Sequence, residues 1–173
     1  LKKSRENWKI TLADTGETSL TGKRIKLIKK YIKNDENFLL TYGDGLSNIN
    51  LNNLVKYHNQ HKRLATLSAV QPSGRYGIMN FDKNNLVKSF EEKPKGDGAW
   101  INGGFYVLNK RVLDFIKGNV SWESTPLNSL IKKKQLKVLK HLGFWKAMDT
   151  MSDKNYLEEL YLSKKAPWLI WKD

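Results

Sequence analysis

Residues 91–105 read Glu91-Glu92-Lys93-Pro94-Lys95-Gly96-Asp97-Gly98-Ala99-Trp100-Ile101-Asn102-Gly103-Gly104-Phe105. Two carboxylates and a Lys-Pro-Lys precede a glycine-rich turn, and an Asn-Gly-Gly then interrupts a strand-like run. A glutamate accepts hydrogen bonds from hydroxyls, and a lysine beside it neutralises negative charge. Glu92 and Lys93 together therefore suit a ligand that carries both hydroxyls and a phosphate. The glycines let the backbone approach such a ligand closely. A sugar phosphate has this chemistry. The same residues also read as a charged strand end, an ordinary Gly-Asp-Gly loop and an Asn-Gly hairpin turn.

Two aspartates strengthen the first reading. Asp44 follows an apolar run at 38–42, and Asp149 follows another at 144–148. Each falls where a strand gives way to a loop or helix. Mg²⁺ takes a few carboxylate oxygens and fills its remaining positions from water and substrate phosphates, so two aspartates from separate strands make a suitable sparse site. Taken singly, Asp44 is a turn residue in Gly43-Asp44-Gly45, and Asp149 merely precedes a helix cap at Thr150 or Ser152.

The elements that must carry these residues alternate along the chain. Strands are predicted over 8–14, 38–42, 64–70, 77–81, 86–90, 101–108, 136–141 and 144–148. Helices are predicted over 24–33, 51–61, 111–117, 126–134 and 152–164. Alternation of this kind argues an α/β fold with a mixed, mostly parallel sheet and helices on both faces. In such sheets ligands bind beyond the carboxyl ends of the strands, where both aspartates lie.

Composition bounds the partners. The chain has 173 residues, enough for one domain with a real core, and a net charge of +14 that favours anionic partners. Its lysines are spread along the length, with dense runs such as Lys2-Lys3, Lys29-Lys30 and Lys132-Lys133-Lys134. No clustered basic face with interleaved aromatics points to nucleic acid. The absence of cysteine excludes disulfides and thiolate metal sites. No apolar run approaches a membrane span, and the expectation is a cytoplasmic protein with no membrane partner. His58 and His61 fall on a polar helix and read as a solvated face rather than a metal site.

The chain resembles the glucose-1-phosphate cytidylyltransferases, sugar nucleotidyltransferases that make CDP-glucose. The resemblance runs in order through Asp14-Thr15-Gly16-Glu17, Thr21-Gly22, Thr41-Tyr42-Gly43-Asp44-Gly45, Gly74-Arg75-Tyr76-Gly77 and the whole of 91–105. It continues through Gly143-Phe144-Trp145, Met148-Asp149-Thr150, Asp153-Lys154 and Lys165-Ala166-Pro167-Trp168. It implies a three-layer α/β/α, Rossmann-like nucleotidyltransferase fold, with CTP and glucose 1-phosphate as substrates and a place in lipopolysaccharide O-antigen biosynthesis. Asp44 and Asp149 would hold Mg²⁺, Lys93 would grip the sugar phosphate, and Glu92 would accept from sugar hydroxyls. Gly77, Asn102 and Gly103 would line the hexose pocket. Thr21, Gly22 and Arg24 would approach the nucleotide, Arg24 near its phosphates. A homo-oligomer is implied for the intact enzyme.

The chain also departs from that pattern. The family opens with a Gly-Gly-x-Gly-Thr-Arg loop and a following lysine that cradle the triphosphate, and neither occurs here. Lys23 stands where relatives carry a second glycine, and Met151-Ser152 where an arginine is frequent. The expectation is that residues 1–173 form the C-terminal portion of a single nucleotidyltransferase domain, N-terminally incomplete, inactive alone and exposing a sheet edge. Use of UTP or dTTP, and a non-catalytic sugar-phosphate-binding or assembly subunit, are the alternatives.

Overall fold

The computed structural model describes residues 8–32, 35–72, 74, 77–92, 95 and 99–170. The first elements are α1 (Thr21–Leu27), α2 (Lys29–Ile32), β1 (Asn37–Thr41), β2 (Gly45–Ser47), α3 (Leu51–His61) and β3 (Ala65–Val70). A hairpin of β4 (Ile78–Phe81) and β5 (Val87–Glu91) precedes β6 (Ile101–Asn109). A 3-10 helix (Lys110–Phe115), α4 (Thr125–Lys132), β7 (Leu136–His141), β8 (Trp145–Ala147) and α5 (Met151–Leu162) complete the order.

Four strands build the main sheet in the order β1-β6-β3-β7. Strand β6 runs antiparallel to both β1 and β3, and β3 runs parallel to β7. The sheet is mixed, as expected, but the expectation that it is mostly parallel needs correction: one of these three pairings is parallel. The cause is the connection. Between β3 and β6 the chain makes the β4–β5 excursion, with no crossover helix among the described residues, and β6 returns beside β3 in the opposite direction.

Alternation along β6 divides the core between the two faces. Tyr106 and Leu108 join Ile25 of α1, Val112 and Leu113 of the 3-10 helix, Leu130 of α4 and Trp122 of the preceding loop in one buried cluster. Val107 points the other way, onto Ile49 and Leu54 of α3, with Phe105 and Leu139 beside them. The three-layer arrangement follows directly. Every residue of β3 is buried, whereas β1 and β7 lie at the two edges, and Leu39 of β1 is 53% exposed.

The helix ends have local causes. Asn50 caps α3 by accepting from the Asn53 amide, and Lys62 ends it in the left-handed region at φ 54°. Pro126 enters the first turn of α4, where its missing N–H costs nothing. Helix α5 begins with a reciprocal capping box between Thr150 and Asp153.

Two expectations fail. Residues 8–14 form no strand: they alternate, but no described residue pairs with them, and Trp8, Ile10 and Leu12 are 74%, 76% and 93% exposed. His58 is not on a solvated face, being 3% exposed and packed against β3. Helical period identifies a face, but the identity of the covered face depends on what docks there.

Candidate functional site

The strands β2 and β8, three residues each, carry the two aspartates. They pair antiparallel with Gly45 opposite Ala147, and the Met148 amide donates to the Asp44 carbonyl at 2.8 Å. This ladder puts Asp44 and Asp149 at the same end of one ribbon, and both residues are exposed there. Among the described residues no group of three or more His, Cys, Asp or Glu gathers to hold a metal. The candidate donor set is thus two exposed carboxylates. That fits Mg²⁺, which keeps waters and substrate phosphates in its shell.

Asp149 is anchored from behind. Thr150, the next residue, donates its amide and hydroxyl to Asp153 Oδ2 at 3.0 and 2.8 Å, and Lys146 Nζ lies 2.5 Å from Asp153 Oδ1. Lys146 above all, then Thr150, holds the Asp153 carboxyl at about 2, below its ordinary range. Asp153 is therefore an anion that fastens both β8 and the start of α5.

A crevice of about 30 Å³ opens between this ribbon and the main sheet, lined by Tyr42, Asp44, Asn102, Gly103 and Trp145 among others. The Trp145 indole donates to the Gly103 carbonyl at 2.7 Å and so ties β8 to β6. Gly103 presses on β3: a Cβ there would lie 2.7 Å from Ser68 Oγ and 2.9 Å from the Ser68 carbonyl. Gly104 adopts φ +77°, and the ladder between β3 and β6 slips a register here. The bend is held by Asn102, whose Oδ1 accepts from the Gly104 amide at 2.8 Å and whose Nδ2 donates to the Tyr106 hydroxyl at 2.6 Å. One N–H and one lone pair of that amide remain for a ligand. Burial raises the Tyr106 pKa above the ordinary tyrosine value.

Gly77 and Glu92 meet at the base of the β4–β5 hairpin, where Ile78 pairs with Glu91. A Cβ on Gly77 would lie 3.1 Å from Glu92 Oε2 and closer still to the Phe90 ring. Lys93 lies outside the described residues. Thr21 begins α1, and its hydroxyl donates to Glu123 Oε2 at 3.1 Å. Gly22 is buried beside it. Arg24 donates to Thr15 Oγ1 at 2.7 Å and to the Glu17 carbonyl at 3.0 Å, so two of its nitrogens hold the 15–17 loop against α1.

The structure thus gathers Asp44, Asn102 and Gly103 at one crevice, with Asp149 at the same end of the β2–β8 ribbon, and Gly77 with Glu92 at another point. Sequence reasoning did not single out Trp145 as a site residue, although its place four residues before Asp149 was a usable signal. Tyr42, Tyr106 and Glu123 were also passed over. Glu123 sits in an irregular segment with no motif around it.

Comparison with known proteins shows the family and the fold. Residues 2–173 match the family described as nucleotidyl transferase. The chain is 47% identical over 168 residues to the glucose-1-phosphate cytidylyltransferase of Salmonella typhimurium, covering 96% of this chain and 65% of that protein. It is 40% identical over 168 residues to a probable glucose-1-phosphate cytidylyltransferase of Bacillus subtilis, with the same 96% and 65% coverage. The chain therefore spans about 65% of the length of these relatives. Among solved structures, HddC from Yersinia pseudotuberculosis superposes with a TM-score of 0.67 at 24% identity, over 92% of this chain and 70% of its own. That likeness shows the fold.

Proposed function

The chain belongs to the nucleotidyl transferase family, and on that premise we propose that its protein transfers a cytidylyl group from CTP to glucose 1-phosphate, giving CDP-glucose and pyrophosphate. The observation that carries this reading is the ribbon that brings Asp44 and Asp149 to one end of the β2–β8 ladder, with Asp44 lining the Asn102–Gly103 crevice. The 47% identity to the Salmonella typhimurium relative supports the choice of cytidylyl donor and sugar acceptor.

A phosphate oxygen of the sugar phosphate attacks the α-phosphorus of the triphosphate in line. A new P–O bond forms, the bond to the β-phosphate bridging oxygen breaks, and pyrophosphate leaves with that electron pair. The attacking phosphate is already ionised, so no general base is needed. Asp44 and Asp149 are the residues that would hold Mg²⁺, which when bound neutralises phosphate charge and orients the two substrates. The chain's own contribution is positioning. Asn102 offers its remaining N–H and lone pair to sugar hydroxyls, and the bend at Gly103 brings backbone into contact range. Glu92 accepts from hydroxyls, with Gly77 beside it, and Lys93 would supply the cation for the sugar phosphate. Thr21, Gly22 and Arg24 face the nucleotide. Substrates of this kind place the protein in the cytoplasm and in sugar-nucleotide supply for surface polysaccharides such as O-antigen. We also expect the full-length protein to form a homo-oligomer.

The test has two parts. Titration calorimetry should show glucose 1-phosphate binding residues 1–173 more tightly than glucose or inorganic phosphate. Equal affinity for phosphate would remove the sugar pocket. Pyrophosphate release should then be compared for CTP, UTP, dTTP and GTP with glucose 1-phosphate and Mg²⁺. CTP is expected to lead, and a preference for dTTP or UTP would overturn the cytidylyl assignment.

A further inference from the structure

One carboxylate outside every motif receives hydrogen bonds from both sides of the site. Glu123 Oε1 accepts from the Tyr42 hydroxyl, and its Oε2 accepts from the Thr21 hydroxyl at 3.1 Å. The Tyr42 oxygen lies 3.4 Å from that of Tyr106, which takes the Asn102 Nδ2 proton at 2.6 Å. The Thr21 oxygen accepts from the Trp122 amide at 2.9 Å.

The direction of each bond can be worked out. A hydroxyl has one proton, and Tyr42 gives its own to Glu123. Toward Tyr106 it can then only accept, so Tyr106 donates to Tyr42 while accepting from Asn102. Protons point in one direction from Asn102 through Tyr106 and Tyr42 to Glu123. From the other side they point from the Trp122 amide through Thr21 to the same carboxylate. Only a group that accepts twice and donates nothing can close both chains. A carboxylate does so, and an amide of the same size does not.

Packing reinforces the two arms. The Tyr42 ring lies where a Cβ on Gly104 would come within 3.1 Å of it, so that ring backs the bend at 103–104. A Cβ on Gly22 would meet the Val120 carbonyl at 2.6 Å, so the first turn of α1 sits directly on the 120–122 backbone. Burial, and after it the Glu123 bond, raises the Tyr42 pKa, which keeps that hydroxyl a donor throughout the working pH range.

We propose that Glu123 is a positioning residue that sets both sides of the site at once, orienting Asn102 and the 103–104 bend through Tyr42 and the first turn of α1 through Thr21. It does not touch the reacting atoms. Its effect on substrate rests on reading Asn102–Gly103 as the sugar-phosphate pocket and Thr21–Gly22 as the nucleotide side.

Three variants separate the arms. In Glu123→Gln one end of the side chain becomes a donor, so one of the two incoming hydroxyls loses its acceptor and the network must rearrange. Tyr42→Phe cuts only the sugar arm, and Thr21→Val only the α1 arm. In ¹⁵N-labelled protein, Glu123→Gln should shift the Asn102 side-chain and Gly104 amide resonances together with those of Gly22 and Trp122. Tyr42→Phe should shift the first pair alone, and Thr21→Val the second pair alone. Glucose 1-phosphate should bind about tenfold more weakly to Glu123→Gln and Tyr42→Phe, the loss expected for one charge-assisted bond, and unchanged to Thr21→Val. A merely structural Glu123 would lower the unfolding midpoint without this split. Unchanged Asn102 and Gly104 resonances in Glu123→Gln would overturn the proposal. If the wild-type chain binds glucose 1-phosphate no better than phosphate, the functional reading falls, and the resonance pattern still decides the role of Glu123.

Discussion

His58→Gln should be less stable than the wild type at pH 7.5, and that deficit should shrink as pH falls to 5.5. The reason is a buried chain of hydrogen bonds between α3 and β3 whose every proton is fixed from its ends. At one end the Arg63 amide donates to His61 Nδ1 at 2.9 Å, so neutral His61 carries its proton on Nε2 and gives it to Thr66 Oγ1 at 2.7 Å. Thr66 must then donate to His58 Nδ1 at 2.8 Å, leaving the His58 proton on Nε2 for Asn37 Oδ1 at 3.3 Å. At the other end the Arg111 amide donates to Asn109 Oδ1 at 3.1 Å, which turns Asn109 Nδ2 toward Asn37 Oδ1 at 3.0 Å. Asn37 Oδ1 is thus an acceptor, and both ends give the same assignment. Both rings are neutral. Burial, then the neighbouring His61, lowers the His58 pKa against an opposing pull from Glu36. Burial also lowers that of His61, with Lys137 and Arg63 adding to the effect and a backbone bond opposing it.

The sign follows from linkage. A folded-state histidine pKa below the unfolded value means the unfolded chain takes up the proton first. Stability is therefore full above roughly pH 6.5 and is lost as pH falls, by up to about 1.4 kcal/mol per pH unit for each histidine. Glutamine reproduces the neutral polarity, an acceptor toward Thr66 and a donor toward Asn37, but cannot titrate. It gives up ring packing and side-chain entropy, about 1 kcal/mol at pH 7.5. As pH falls below 6.5 the wild type alone loses this contribution, so its advantage over His58→Gln should shrink between pH 7.5 and 5.5. Urea unfolding at pH 7.5, 6.5 and 5.5 at constant ionic strength measures this. The net charge of +14 acts on both proteins alike and cancels in the difference. A wild-type advantage that stays constant across the three pH values would refute the argument.

Other substitutions probe the site itself. Gly103→Ala forces a Cβ to within 2.7 Å of Ser68 Oγ and 2.9 Å of the Ser68 carbonyl. It should cost about 1–3 kcal/mol in urea unfolding, as overpacking of a close-packed interior does. Asp153→Asn should lower the thermal midpoint at pH 7 and leave it unchanged near pH 2. The wild-type carboxylate, held at about 2, contributes above its unfolded value and loses that contribution as pH falls toward 2. Asp44→Asn and Asp149→Asn should each weaken Mg²⁺ binding in calorimetry by more than the roughly tenfold that loss of an outer-shell partner causes. Leu54→Ala, at a fully buried position of α3, should cost about 2–5 kcal/mol by urea unfolding.

The sequence by itself determined the elements whose patterning is strong. Strands β3, β6 and β7 and helix α3 were readable within a residue or two, because long apolar runs and helical periods survive in one dimension. It also offered the candidate site residues: two aspartates after strands, and an Asn-Gly-Gly that breaks a ladder. The alternation at 8–14 misled, since a strand exists only with a partner and pairing is not local. The tertiary structure alone decided the rest. It brought Asp44 to Asp149 through a ribbon of two three-residue strands, too short to carry a pattern. It turned His58 inward because α3 docks on β3 by that face. It also placed Glu123 against Thr21 and Tyr42, residues 102 and 81 positions away in the chain. Hydrogen-bond networks of this kind depend on which side chains meet across packed elements, and no period along the chain records that.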